Sequence, residues 1–170
     1  ISYEKMMLQS TQNVLKSDAF LALNPRAQVP VLQDGDFHIA ESMAAIAYID
    51  KKVSTPPLFG RTAEEAAQIW RQVLDFDFNV SEKIVTQILR PIYFGKIDES
   101  GEDISQCAKV LHGELTTLEK SLEGNPWFVG DTISAADIAI YPLLEALIRY
   151  ATKAVVENLN LGFDHFAMDY

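Results

Sequence analysis

Cysteine is almost missing from this chain: Cys107 is the only one in 170 residues. That excludes a disulfide framework and any Cys-x-x-Cys redox or zinc pair. Histidine is nearly as scarce. His38, His112 and His165 are scattered with no pair at metal-ligand spacing, so no metal is expected. Positive charge is short too, with 14 Lys and Arg against 24 Asp and Glu and a formal net charge of -10. An acidic surface repels phosphate backbones and anionic lipid, so neither nucleic acid nor a membrane is an expected partner. No apolar run has the length of a membrane span. No signal peptide is expected at Ile1-Ser-Tyr-Glu-Lys, and there is no repeat or low-complexity segment. Together these features suit a reducing cytoplasm.

What is present divides the chain in two. Ile1 to Leu8 alternates loosely and reads as a short edge strand, with Gln9 to Asn13 as a polar loop. Ser17-Asp18 opens a short helix through Leu23, which Asn24-Pro25 stops: Asn tolerates a left-handed backbone and Pro cannot continue a helix. Gln28 to Leu32 is an apolar, β-branched strand, Asp34-Gly35 a hairpin turn, and Phe37 to Ala40 the returning strand. Ser42 is the expected N-cap of a helix from Met43 to about Lys51. These elements make residues 1–53 a small α/β domain. Residues 54–61, with Pro56-Pro57 and Gly60, read as a linker.

Residues 62–170 carry only helical periodicity. Thr62-x-x-Glu65 is a capping box for a helix that could run to Phe94, with Ile69, Val73, Phe76, Val80, Ile84, Ile88 and Ile92 on its inner face and Pro91 kinking or ending it. Lys96 to Asp103 reads as a polar loop. Ile104, Ala108, Leu111, Leu115, Leu118 and Leu122 mark the next helix, closed by Gly124-Asn125-Pro126. Ser134-x-x-Asp137 then starts an apolar, central helix through about Tyr150. The stretch from Val155 to Tyr170 is only weakly helical.

Two short stretches could bind a peptide-like ligand. Proline in a strand removes a ladder donor, so Pro30 marks either an edge strand or bulge, or a cis Val29–Pro30 bond that turns the Val29 main chain outward. A ligand could pair with that main chain as an added strand. Ser42 is by itself a helix cap. A helix N-terminus nevertheless binds carboxylates through its free N–H groups, and Glu41 beside it could hold an ammonium. One spot would then recognise both charges of an α-amino acid.

Asn24-Pro25-Arg26-Ala27-Gln28-Val29-Pro30-Val31-Leu32, the Asp34-Gly35 turn and Glu41-Ser42 resemble the glutathione site of the glutathione transferase family, of bacterial type. Trp127-Phe128-Val129-Gly130-Asp131 followed by Ser134-Ala135-Ala136-Asp137 resembles the capping motif of that family's helical domain. The resemblance implies a partial thioredoxin-like domain followed by a helical-bundle C-terminal domain. It implies that Val29 bonds the cysteinyl backbone of glutathione through its main chain, that Pro30 is a cis proline, and that Gln28 adds a polar contact. Glu41 and Ser42 would hold the γ-glutamyl group, and Ser134 and Asp137 would cap a helix. Ala27 departs from the family, which often has Gly there.

The family's domain begins with a further strand and helix, roughly 20 residues at average size, and its thiol-activating Ser, Tyr or Cys lies there. The catalytic residue is therefore expected before Ile1, and both chain ends are expected to be cuts, with final helices also missing. Arg90 and Tyr93 are the candidates for a second-substrate pocket. Asp75 and Asp77 form either a solvated face or a cleft and interface face, and Cys107 is expected to be structural. The activity implied is attack of glutathione thiolate on a hydrophobic electrophile or peroxide by a cytoplasmic homodimer, with glutathione as substrate. The alternatives are a non-catalytic protein-binding module of the same fold, or a glutathione-dependent thiol–disulfide oxidoreductase or dehalogenase.

Overall fold

The computed structural model describes residues 1–8, 13–122, 124–151, 159 and 161–163. The chain forms two compact units, Ile1–Thr55 and Pro56–Tyr170. Residues 9–12 of the polar loop expected at Gln9 to Asn13, and most of the stretch from Val155 to Tyr170, lie outside the described residues.

In the first unit, a 3-10 turn at Val14–Lys16 leads into α1, Asp18–Leu23. Ser17 caps α1 by accepting the Phe20 amide at 3.3 Å, as a short hydroxyl side chain does at an N-terminus. Strands β1 (Val31–Asp34) and β2 (Phe37–Ala40) pair antiparallel around Gly35, with Val31 opposite Ala40 and Asp34 opposite Phe37. Gly35 has φ +61, the left-handed conformation that the Asp-Gly signal anticipates. Helix α2 spans Ser42–Lys52. Its last turn is tied to the hairpin: Tyr48 donates to Asp34 at 2.8 Å, Lys52 pairs with the same carboxylate, and the Phe37 and Tyr48 rings stack at 4.6 Å. Two expectations fail here. Ile1 to Leu8 is not a strand, and Ile1, Tyr3, Met6 and Met7 are exposed. A strand's hydrogen bonds come from a neighbouring strand, and the described sheet has only β1 and β2. The strand expected to begin at Gln28 instead begins at Val31.

The second unit opens with the capping box. Thr62 accepts the Glu65 amide at 3.2 Å, and the Glu65 carboxylate accepts the Arg61 amide at 2.7 Å. Gly60 is required before it: its φ is +80, and a Cβ there would sit 2.6 Å from that of Glu65. Helix α3 (Ala63–Phe76) continues through π-helical turns at Asp77–Ser81 and Lys83–Leu89 into α4, Arg90–Tyr93. All seven predicted inner-face residues, from Ile69 to Ile92, are buried. Their spacing explains the π turns. Phe76, Val80, Ile84, Ile88 and Ile92 fall every fourth residue. At 3.6 residues per turn each such step drifts about 40°, so four steps would carry the stripe about 160° off its face. Underwinding keeps it on the core. The Arg90 amide reaches back to the Val85 carbonyl, five residues away.

Helix α5 spans Ile97–Ser121, so the polar loop expected at Lys96 to Asp103 is helical from Ile97. Asp98 and Glu99 in its first turn suit the positive end of the helix dipole. Low hydrophobicity there reflects an exposed face, with Ile104 fully buried. Helix α6 spans Ala135–Ala151 and buries Ala135, Ala136, Ile140, Leu147 and Ala151, with Tyr141 and Arg149 exposed. His112 on α5 bonds the Leu161 carbonyl at 2.8 Å and stacks on the fully buried Phe163 ring at 4.8 Å, which fixes residues 161–163 to the bundle.

Candidate functional site

The loop between α1 and β1 is built by one side chain. Asn24 is 5% exposed. Its amide donates to the Gln28 carbonyl at 2.8 Å, and its oxygen accepts the Arg26 amide at 3.0 Å. Its own carbonyl accepts the Ala27 amide at 3.0 Å. Asn24 is itself extended, with φ -143 and ψ 102. The left-handed residue expected at this helix end is Ala27 instead, with φ 54. A Cβ in that region costs about 1–2 kcal/mol, and the Asn24 bonds on both sides hold the chain there. The Asn-Pro pair at this helix end was the available signal, but it concealed a buried polar anchor.

The anchored loop delivers Gln28, Val29 and Pro30 to the start of β1. The Val29–Pro30 bond is cis. Val29 is 59% exposed, and among the described residues its main-chain N–H and C=O have no hydrogen-bond partner. Gln28 and Pro30 are also exposed. Because Val31 pairs with Ala40, Val29-Pro30 and Glu41-Ser42 leave the ladder at the same end of the hairpin. The structure thus gathers four of the five sequence-predicted binding residues at one hairpin end, with Gln28 next in line.

Ser42 is not the N-cap that was expected. It is the first residue of α2, and Glu41 occupies the cap position with φ 71 and ψ 116 and no side-chain cap bond. A non-glycine residue held in that region is strained, and such strain persists where surrounding structure enforces it. The turn leaves the Glu41 carboxylate exposed beside the first amides of an 11-residue helix. The first intrahelical acceptor is the Glu41 carbonyl, bonded by Ala45 at 3.0 Å. The amides of Ser42, Met43 and Ala44 therefore lie ahead of the helical ladder. An acid group next to free N–H groups at a positive helix end can take an ammonium and a carboxylate together.

The remaining candidates lie in the helical unit. Arg90 and Tyr93 line one cavity of about 270 Å³ with Val85, Leu89, Phe94 and Tyr150. Ser134 and Asp137 form a buried cap. The Asp137 carboxylate accepts the Ser134 amide and hydroxyl, each at 2.8 Å, and the Phe128 amide at 3.0 Å, while the Ser134 hydroxyl accepts the Ala136 amide at 3.2 Å. Asp75 and Asp77 are exposed. Cys107 is buried, and burial pushes its thiol above the ordinary value, with the Lys83 charge pulling weakly the other way; a thiolate nucleophile needs the opposite. Among the described residues no group of three or more His, Cys, Asp or Glu could hold a metal ion, and no helix is long and apolar enough to cross a membrane.

The chain has relatives among known proteins. Residues 1–51 match the family model described as the glutathione S-transferase N-terminal domain, and residues 67–164 match that of the C-terminal domain. Glutathione S-transferase F10 of Arabidopsis thaliana is 30% identical over 159 residues, covering 91% of this chain and 74% of the relative. Glutathione S-transferase 3 of Zea mays is 33% identical over 152 residues, covering 86% and 67%. A glutathione transferase structure from Burkholderia graminis, with two glutathione molecules bound per subunit, superposes with a TM-score of 0.75 at 24% identity, covering 92% of this chain and 67% of that one. At that identity the superposition speaks for the fold alone.

Proposed function

Because this chain belongs to the glutathione S-transferase family, we propose that the hairpin end carrying Gln28, Val29, Pro30, Glu41 and Ser42 is its glutathione site. The protein is a glutathione transferase, an enzyme with glutathione as substrate. The observation that carries the site is the shared exit of the open Val29 main chain and the Glu41-Ser42 helix start from one end of the β1–β2 ladder. The cysteinyl backbone pairs with Val29 as an added strand, and Gln28 adds a polar contact. The γ-glutamyl carboxylate takes the Ser42 hydroxyl and the first α2 amides, and its ammonium takes Glu41.

The second substrate in this proposal is a hydrophobic electrophile, held where Arg90 and Tyr93 line the helical unit's cavity. Glutathione reacts as thiolate. Its electron pair forms a carbon–sulfur bond, the bond to the leaving group breaks with its pair, and the thiol proton leaves for solvent. With a peroxide as acceptor, a second glutathione completes the reaction to disulfide, alcohol and water. A free thiol has a pKa near 8.5, and each unit by which an enzyme lowers it takes about 1.36 kcal/mol of thiolate stabilisation. The reading further includes a homodimer acting in detoxification in the cytoplasm, and the acidic, disulfide-free composition is compatible with that compartment.

Calorimetric titration with glutathione tests the site. Binding at millimolar ligand or tighter is expected, and its absence would sink the proposal. Glu41→Ala should weaken glutathione about tenfold, since an exposed charge-assisted hydrogen bond contributes near the lower end of about 1.5–3 kcal/mol. Unchanged affinity would mean that the γ-glutamyl group binds elsewhere.

A further inference from the structure

The cavity at the end of the long helix has a wall of unequal chemistry. Val85 and Leu89 come from the second π-helical segment, Arg90 and Tyr93 from α4, Phe94 from the turn after it, and Tyr150 from near the end of α6. Five of these six side chains are aliphatic or aromatic, and the Tyr93 and Phe94 rings meet edge to face at 5.2 Å. The sixth is a guanidinium, and among the described residues no carboxylate lines the cavity. Among the described residues the Arg90 side chain has no ion pair or hydrogen bond. Arg149, in contrast, is paired with Glu145 on its own helix. Arg90 is exposed, so its charge stands in solvent at the edge of this apolar cavity, open to a ligand.

Building on the proposed use of this cavity for the electrophile, we propose that Arg90 makes it selective for anionic aromatic acceptors, compounds whose ring or conjugated skeleton bears a carboxylate or comparable acid. The aliphatic and aromatic wall takes the ring by burial and edge contacts. The volume is just below the range of drug-sized pockets, which suits a single substituted ring. The guanidinium presents a planar fork of donors matched to a carboxylate. A neutral ester of the same shape covers part of that cation and returns only an uncharged carbonyl acceptor, without the charge or the paired oxygens of a carboxylate. The selectivity is therefore a difference between two ligands in one cavity.

Cinnamate and methyl cinnamate, equal in skeleton and differing in charge, test this by ligand-observed NMR titration into the protein. Cinnamate is ionised at neutral pH and should bind at least about fivefold more tightly than its ester. Arg90→Gln should weaken cinnamate about five- to tenfold and leave the ester within about twofold, while Arg90→Lys keeps part of the preference as a charge without the fork. Added salt should weaken the acid alone. Equal affinities in the unmodified protein, or equal losses in Arg90→Gln, overturn the inference and leave the cavity's assignment standing. Binding of neither ligand overturns both, whereas the separate glutathione titration reports on the hairpin site.

Discussion

Asn24→Ala removes the side chain that anchors the loop proposed to bind glutathione. The side chain is 5% exposed and makes two hydrogen bonds across the loop, to the Gln28 carbonyl at 2.8 Å and from the Arg26 amide at 3.0 Å. The bond from the Ala27 amide to the Asn24 main chain survives the substitution. At about 0.5–1.5 kcal/mol each, the two lost bonds amount to about 1–3 kcal/mol. Some of that loss appears as reduced stability. The rest appears in binding, because glutathione must then order a loop that Asn24 had already ordered; the full 1–3 kcal/mol would be about 5–150-fold, which bounds the loss of affinity from above. Urea unfolding followed by circular dichroism measures the first part, and calorimetry with glutathione the second. Asn24→Asp separates geometry from size. It keeps the acceptor for Arg26 but turns a carboxylate oxygen toward the Gln28 carbonyl, so it should bind glutathione no better than Asn24→Ala. Unchanged glutathione affinity in Asn24→Ala, whatever happens to stability, would refute the idea that this loop positions Val29.

Two further substitutions probe the local structure. Ala27→Gly should stabilise the protein by up to about 1 kcal/mol, because the left-handed Ala27 costs about 1–2 kcal/mol while glycine gives back about 0.5–1 kcal/mol in unfolded-chain entropy. A lower urea midpoint would contradict that backbone conformation. Asp137→Ala strips the shared acceptor from the Ser134 amide, the Ser134 hydroxyl and the Phe128 amide. It should cost about 2–4 kcal/mol, whereas Ser134→Ala should cost about 1 kcal/mol. Equal urea midpoints for those two variants would show that the carboxylate is not the centre of the cap.

What was legible in the sequence follows the range of the interactions. Ser17, Thr62 with Glu65, and Ser134 with Asp137 were all readable as helix starts, because each cap joins groups two to four residues apart. The inner stripe from Ile69 to Ile92 was readable because burial selects apolar side chains directly. The helix at 97–103 was hidden, since an exposed face there leaves no apolar period. Glu41 and Ser42 were identified as neighbours at a helix start, but which of them occupied the cap depended on how β2 turned into α2. Arg90 and Tyr93 were paired as candidates, yet the free guanidinium could be seen only once the surroundings of Arg90 were in place.

By itself, then, the sequence determined an α/β segment followed by helices, the helix starts, and the apolar core of the long helix. Those features rest on local hydrogen bonds and on hydrophobic period, both of which are written residue by residue. The tertiary structure decided that Ile1 to Leu8 is unpaired, that Asn24 anchors the loop while Ala27 carries its left-handed turn, and that Val29 and Glu41 leave the same end of one ladder. It also decided that Arg90 joins five aliphatic and aromatic side chains around one cavity. The unpaired start, the shared ladder end and the surroundings of Arg90 depend on which distant residue supplies the partner, and no window of sequence contains it; the Asn24 bonds span only two to four residues, but Asn-Pro reads equally well as a plain helix stop.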